Sequence, residues 1–314
     1  MASFLLRRSL LAMGVVAGAG VLIFLLIYAI PGDPATTALG PRASPEMRAA
    51  FRAAMGLDRP LPVQMVRFFG RLLHGDLGRD IWSGRPVTEI LFEALPHTLS
   101  LALCSLGWSV LLGIGLGCFS AARPGGAVDR VAGALSIATI AIPPFLVAIY
   151  CLLLFAVELR WFPAIGAGTP GDWGSQAMAL VLPSFSVGLA WVGYIARALR
   201  GSLIEVMRER YIAAARAFGL SERVILLRHA LRIALVPVVS IIGVGFGSLL
   251  SGSVLAEIVF ARPGLGKTVY EAVLARNYPI VTGAVVLTAG LYAAVMLLTD
   301  LAISLLDQRS RAAL

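Results

Sequence analysis

The sequence has little of what a water-soluble surface or a catalytic centre is made from. Charged residues are only 14% of 314 positions, against 59% hydrophobic residues and a mean hydropathy of +0.88, a balance that excludes a soluble globular chain. Cys104, Cys118 and Cys151 lie inside apolar runs, are odd in number and lack CxxC spacing, which excludes a disulfide framework or a cysteine zinc site. His74, His97 and His229 stand in different segments and none opens an HExxH pattern. No catalytic group, metal site or bound cofactor is therefore expected in this chain. No aromatic and basic platform accompanies the net charge of +9, so that charge is referred to membrane topology and not to nucleic acid.

What the sequence does have is length in its apolar runs. Segments near 9–30, 97–121, 131–157, 177–199, 233–256 and 279–306 are each long enough to cross a bilayer about 30 Å thick as a helix, so an all-α membrane protein with six transmembrane helices is expected. The first run follows Arg7 and Arg8 like a secretory signal, but it is long and lacks a small-x-small cleavage site, so it reads as a retained span. Six crossings put both termini on one side. The arginines choose the cytoplasm for that side: Arg7, Arg8, Arg123, Arg130, Arg197, Arg200, Arg208, Arg210, Arg216, Arg223, Arg228, Arg232, Arg309 and Arg311 then lie inside, whereas the short outer loops carry only Arg160, Arg262, Lys267 and Arg276. The chain divides into a first span at 1–30, an extracytoplasmic loop domain at 31–96 and a core at 97–314.

The outer region is too long for a connector and has internal order. Ser44 can cap a helix over 45–55 with Pro45 at its first position, Glu46 near its positive end and Gly56 at its far end. Residues 63–74 alternate apolar and basic faces, Gly75-Asp76 and Ser83-Gly84 signal turns, and a helix starting near Pro86 leads into the membrane. A solvated cap and a docking platform for a cargo-bearing partner both fit.

Two patterns invite overreading. Gly264-Leu-Gly-Lys-Thr268 ends like a nucleotide-binding loop, but Ala261 stands where its first glycine belongs and no strand leads into it, so a turn at Pro263-Gly264 is expected. The pairs Gly14/Gly18 and Gly113/Gly117 are expected to pack helices within the chain. Ionisable groups inside the spans are few. Asp300 is expected to bond a neighbouring helix, and Glu158 and Glu257 to reach the outer interface. Pro143 and Pro144 should kink the third span and are the candidates for a kink along a translocation path; Pro183 could act likewise in the fourth.

The polar stretch 200–232 interrupts the membrane pattern with a run of helix formers, 203–218, that ends at Gly219. Ser221 and Glu222 can start a second helix through Val224, Leu227 and Ala230. Such a pair presents a rigid knob to a groove, or rests on anionic lipid.

Tyr211-Ile-x-x-Ala-Arg216-Ala-x-Gly219-Leu220-Ser221, with Leu227-Arg-His-Ala-Leu-Arg232 and Pro237, resembles the cytoplasmic EAA loop of ABC importer permeases of the dipeptide, oligopeptide and nickel branch. The likeness continues in Pro31-Gly-Asp-Pro34, Gly56-Leu-Asp-Arg-Pro60, Gly75-Asp-Leu-Gly78, Trp161-Phe-Pro163, Phe260-x-x-Pro-Gly-Leu-Gly266 and Leu306-Asp307. The glutamate that names the motif is Ala213 in this chain. The resemblance implies a type I importer fold in the bacterial inner membrane, a second homologous permease, two cytosolic ATPase subunits that bind the ATP, and an extracytoplasmic solute-binding protein. It assigns the coupling role to Tyr211, Ala214, Ala215, Arg216, Gly219 and Leu220, with solute moved by alternating access and short peptides as the expected cargo. An ion-coupled carrier or channel acting alone is the competing class; it needs a midplane relay that the spans do not supply.

Overall fold

The computed structural model describes residues 2–29, 36, 40, 43–55 and 58–306. The element order is α1 (Ala2–Ala29), α2 (Pro45–Met55), α3 (Leu61–Leu73), α4 (Val87–Ala122), α5 (Ala127–Ala141), α6 (Pro144–Glu158), α7 (Trp173–Val206), α8 (Arg210–Ala217), α9 (Glu222–Val259), α10 (Leu265–Leu274) and α11 (Tyr278–Leu306). Among the described residues there is no strand, only an isolated bridge between Arg79 and Pro86. Apolar helices dominate because a bilayer leaves no water to satisfy backbone groups, so each span must close its own hydrogen bonds.

Among the described residues five helices, α1, α4, α7, α9 and α11, are long and apolar enough to cross a membrane, and α5 with α6 makes six when the bent pair is counted as one broken span. That third span is not one kinked rod: its halves are bent by 91°. The reason is local. Neither Pro143 nor Pro144 has an amide hydrogen, and a residue before proline is pushed out of the helical region, as Ile142 is at ψ 121° and Pro143 at ψ 133°. The helix must stop at Ala141, and Pro144 then serves as a pre-shaped first residue for α6. Pro183, by contrast, sits buried inside α7 without breaking it.

In lipid the apolar effect does not push helices together, so close packing through small residues does more of the work. α4 and α7 show this. A methyl group on Gly113 would meet Ile195 at 2.8 Å, and one on Gly117 would meet the Ala196 carbonyl at 2.9 Å. Lower on the same seam, Ser109 Oγ donates to the Gly188 carbonyl at 2.7 Å and Trp108 Nε1 to that of Ser184 at 3.2 Å. Contacts that climb together in both helices make α4 and α7 parallel, as the second and fourth of six crossings must be. The pair Gly14/Gly18 departs from expectation, since among the described residues no atom of another element comes within 4 Å of a methyl placed on either.

Ends can be matched as well. Arg8 Nη1 and Asp300 Oδ2 lie 3.0 Å apart, so the start of α1 and the end of α11 share one end of the bundle. At the opposite end, the Phe24 ring of α1 stacks on Phe68 of α3 with centroids 6.2 Å apart. The segment between α1 and α4 begins as expected: the Met47 amide donates to Ser44 Oγ at 3.2 Å, and α2 starts at Pro45. Asp76 Oδ1 accepts from the Gly78 amide at 2.8 Å and Gly75 and Gly84 take φ of +74° and +70°, so both turns form. Pro31 to Pro34, the Gly56-Leu57 step and Asp307 with Arg309 and Arg311 lie outside the described residues.

Candidate functional site

α7 runs beyond its apolar stretch to Val206, where the Arg208 and Glu209 amides donate to the Glu205 and Val206 carbonyls and end it. The chain reverses through an extended Glu209 at ψ 149° into the two-turn helix α8. One side chain anchors that helix. Ile212 is completely buried in a cluster with Leu203, Val206, Ile225 and Ala230, so α8 is pinned between the foot of α7 and the foot of α9.

The opposite side is open. Ala213, Ala214, Arg216 and Ala217 are exposed, and the Phe218 ring is 87% exposed at the tip. Gly219 then takes φ +80°, a left-handed conformation that a Cβ opposes. Its amide donates to the Arg216 carbonyl at 2.9 Å and the Leu220 amide to that of Ala215 at 3.2 Å, which are the two bonds of a Schellman ending. Across the turn, Arg216 Nε and Nη2 donate to the two Glu222 carboxylate oxygens at 2.6 and 3.2 Å. That neighbour holds the Arg216 guanidinium above its ordinary pKa. Both groups face solvent, so the pair sets the angle of the turn more than it adds stability.

Of the six residues singled out from the sequence, Tyr211, Ala214, Arg216, Gly219 and Leu220 are exposed and Ala215 is half-buried against the Ile212 cluster. All six share one short helix and its C-terminal turn. Pro143 and Pro144 belong elsewhere, at the exposed α5–α6 bend. The second helix of the polar stretch does not stop at Ala230. It starts at Glu222, widens to a π-helical turn over Ile225–Ala230 and continues into the membrane as α9, because no glycine or proline follows until Pro237.

The structure also joins residues that sequence reasoning missed. Asp129 at the start of α5 is buried, accepts from Arg200 Nη2 at 2.7 Å and from the Gly125 amide at 2.8 Å, and receives the Ser120 hydroxyl. Glu257 does not reach an interface. It has no exposed surface, and its carboxylate accepts from Thr98 Oγ1 at 2.6 Å and from the Lys267 amide at 3.0 Å. The start of α10 explains this placement: the Glu257 carboxyl group accepts from an amide donor that a helix N-terminus leaves without an intrahelical partner. Gly264 and Gly266 are the visible trace of that arrangement, since a methyl on either would press on the Glu257 carboxylate at 2.3 and 2.9 Å. The stretch that ends like a phosphate loop is thus already occupied by the Glu257 carboxyl group.

Three of the carboxylates in or beside the spans are engaged among the described residues: Asp129 by Arg200, Glu257 by Thr98, Asp300 by Arg8. Among the described residues no group of three or more histidines, cysteines and acids gathers to hold a metal. A cleft of about 740 Å³ opens between α4, α9, α10 and α11, lined by Thr98, Ser248, Ser251, Thr288 and Tyr292 among otherwise apolar residues.

Comparison with known proteins matches residues 113–312 to the family described as binding-protein-dependent transport system inner membrane component, and residues 1–102 to its N-terminal companion. The chain is 38% identical to the probable peptide ABC transporter permease protein y4tP of Sinorhizobium fredii, over 99% of this chain and all of that one. It is 38% identical to the glutathione transport system permease protein GsiC of Pectobacterium atrosepticum, over 90% of each. Its fold resembles a chain of the inward-facing MetNI methionine ABC transporter, with a TM-score of 0.57 at 20% identity over 69% of this chain and 96% of that one. A multi-pass helical bundle with a short exposed helix between two spans, matched by both models over nearly its whole length, belongs to the binding-protein-dependent transport system inner membrane component family.

Proposed function

We propose that this chain is the permease subunit of an ATP-driven importer that moves short peptides or similar small solutes from an extracytoplasmic binding protein into the cytoplasm by alternating access. It pairs with a second homologous permease and with two cytosolic ATPase subunits, and both its termini face the cytoplasm. The observation that carries the reading is α8: a short helix pinned by Ile212 and by its Gly219 ending, with Ala214, Arg216 and Phe218 turned outward. An ATPase that moves α8 moves α7 and α9 with it, because Ile212 packs on both. Tyr211, Ala214, Ala215, Arg216, Gly219 and Leu220 form this coupling element. A partner shifts a two-state equilibrium only through contacts that differ between the states, and a knob without slack transmits such differences.

The bend at Pro143 and Pro144 supports a paired arrangement. Non-helical backbone at membrane depth is tolerated only where protein covers it or water lines it, and in this chain both prolines are exposed. A second permease or the solute path itself is the natural cover. Peptide cargo is favoured because relatives at 38% identity are named for peptide and glutathione transport. The test is uptake of labelled short peptides into liposomes by this chain reconstituted with its companion permease, ATPases and binding protein. ATP-dependent uptake that needs all subunits is expected, whereas uptake by this chain alone would overturn the reading.

A further inference from the structure

At the end of the bundle that carries α8, a second cleft of about 600 Å³ lies between α4, α5 and α7. Its polar groups divide sharply. Among the described residues Asp129 is its only lining carboxylate, and that charge is spent on Arg200, Ser120 and the Gly125 amide. Ser136 donates to the Ala132 carbonyl at 2.8 Å. Two further arginines line the cleft, Arg130 on α5 and Arg197 on α7; both are exposed, and among the described residues neither has an ion pair. The cleft therefore carries two uncompensated guanidinium groups over a neutralised floor.

Its remaining walls are apolar, with Leu116, Ile137, Ala134 and Ala196. The neighbouring face of α5 exposes Val128, Val131 and Leu135 at 52 to 58%, as a surface against hydrocarbon would. Gly133 leaves room between the two regions, because a methyl placed there has no atom within 4 Å. A charged mouth above an apolar slot selects an amphiphile with a negative head. Guanidinium groups suit phosphate oxygens, and basic pockets between spans on the cytoplasmic side are suited to anionic headgroups.

We infer that this cleft binds one anionic phospholipid, its phosphate between Arg130 and Arg197 and an acyl chain along α5 past Gly133. The orientation rests on the cytoplasmic placement proposed above, but the test does not need transport, so its failure leaves the importer reading intact. The full chain, purified in detergent, is titrated with phosphatidylglycerol, phosphatidylcholine or inorganic phosphate, and retained lipid is counted by native mass spectrometry. Phosphatidylglycerol should be retained and phosphatidylcholine lost. Arg130→Gln/Arg197→Gln should weaken retention by roughly ten- to thirtyfold, as two interfacial charges imply. Gly133→Leu, which fills the slot and keeps both charges, should weaken it as well. Arg208→Gln/Arg228→Gln removes the same charge elsewhere and should leave retention unchanged. Equal retention of the two lipids, competition by inorganic phosphate at the same concentration, or equal loss in the Arg208/Arg228 variant would overturn the inference.

Discussion

The Thr98 hydroxyl donates to the Glu257 carboxylate at 2.6 Å and accepts from the Leu265 amide at 2.8 Å, so one threonine on α4 ties the end of α9 to the start of α10. Buried at 1% exposure beside a glutamate with none, it has no water to replace either bond. Thr98→Ala should cost about 1 to 3 kcal/mol, the penalty for leaving buried partners unsatisfied. Glu257→Gln should cost a similar amount, because its amide nitrogen would replace one accepting oxygen and face either the Thr98 or the Lys267 donor. The double variant should cost less than the sum, since the two residues share one network. Thermal melting of the purified chain in detergent reads all three, and strict additivity would contradict the shared latch.

The Gly219 turn makes a separate prediction about coupling. Gly219→Ala forces a Cβ into φ +80°, at roughly 1 to 2 kcal/mol, and Gly219→Asn less, because asparagine tolerates that region. Gly219→Pro fixes φ near −65° and also removes the amide bonded to Arg216. Insertion should survive in all three, as the turn lies outside the spans. In the reconstituted complex, peptide moved per ATP hydrolysed should fall in the order Asn, Ala, Pro. An unchanged ratio for the proline variant would remove α8 from the coupling route.

Half-buried Ala215 separates docking from packing. Its methyl packs against the cluster around Ile212, so Ala215→Trp should both displace α8 and obstruct a groove, whereas exposed Ala214→Trp should only obstruct. Subunit association should weaken for both variants in a pull-down of the ATPases. Only Ala215→Trp should also lower the melting temperature of the isolated chain.

What could be read from the sequence follows the range of the forces involved. Spans, caps and turns are local: Ser44 needs only Met47, and the Gly219 ending needs residues within one helical turn, so both were legible. The bend at Pro143-Pro144 was legible as a disturbance but not as 91°, because two prolines end a helix without setting the direction of the next. Asp129 with Arg200, 71 positions apart, and Thr98 with Glu257, 159 apart, left no local signal. Glu257 had one indirect trace, the paired glycines at 264 and 266 that make room for its carboxylate. Single-sequence spacing cannot show what those glycines make room for.

Asp80 predicts how the segment between α3 and α4 responds to acid. Burial pushes its carboxyl up, but hydrogen bonds from the Ser83 hydroxyl, the Trp82 amide and the Asn277 side chain outweigh that and hold it below the ordinary 3.8. A carboxylate whose pKa is depressed on folding stabilises the fold fully above its unfolded value, and that contribution disappears as pH falls through the folded one. The link between the loop and the α10–α11 connection should hold steady from pH 7 to about 5 and weaken below 3.8. Asp80→Asn should be weaker at neutral pH and lose the acid dependence. Limited proteolysis near Trp82 across that range reads the difference.

Gly113 and Gly14 are both first members of a glycine pair four residues apart inside an apolar helix, yet the structure gives them opposite consequences. A methyl on Gly113 would sit 2.8 Å from Ile195, a residue with no exposed surface whose backbone is held by α7. Neither helix can yield without opening the seam that Ser109 and Gly117 also close, so Gly113→Ala should cost about 1 to 3 kcal/mol through overpacking. On Gly14 the same methyl meets nothing within 4 Å among the described residues. There the substitution replaces the poorest ordinary helix former with the best, and it should be neutral or stabilise by up to about 1 kcal/mol. Melting the two single variants in detergent compares one chemical change at two similar sites. If Gly14→Ala instead impairs assembly with the companion permease while leaving the isolated chain intact, the open face of α1 is a contact between subunits and not a surface against lipid.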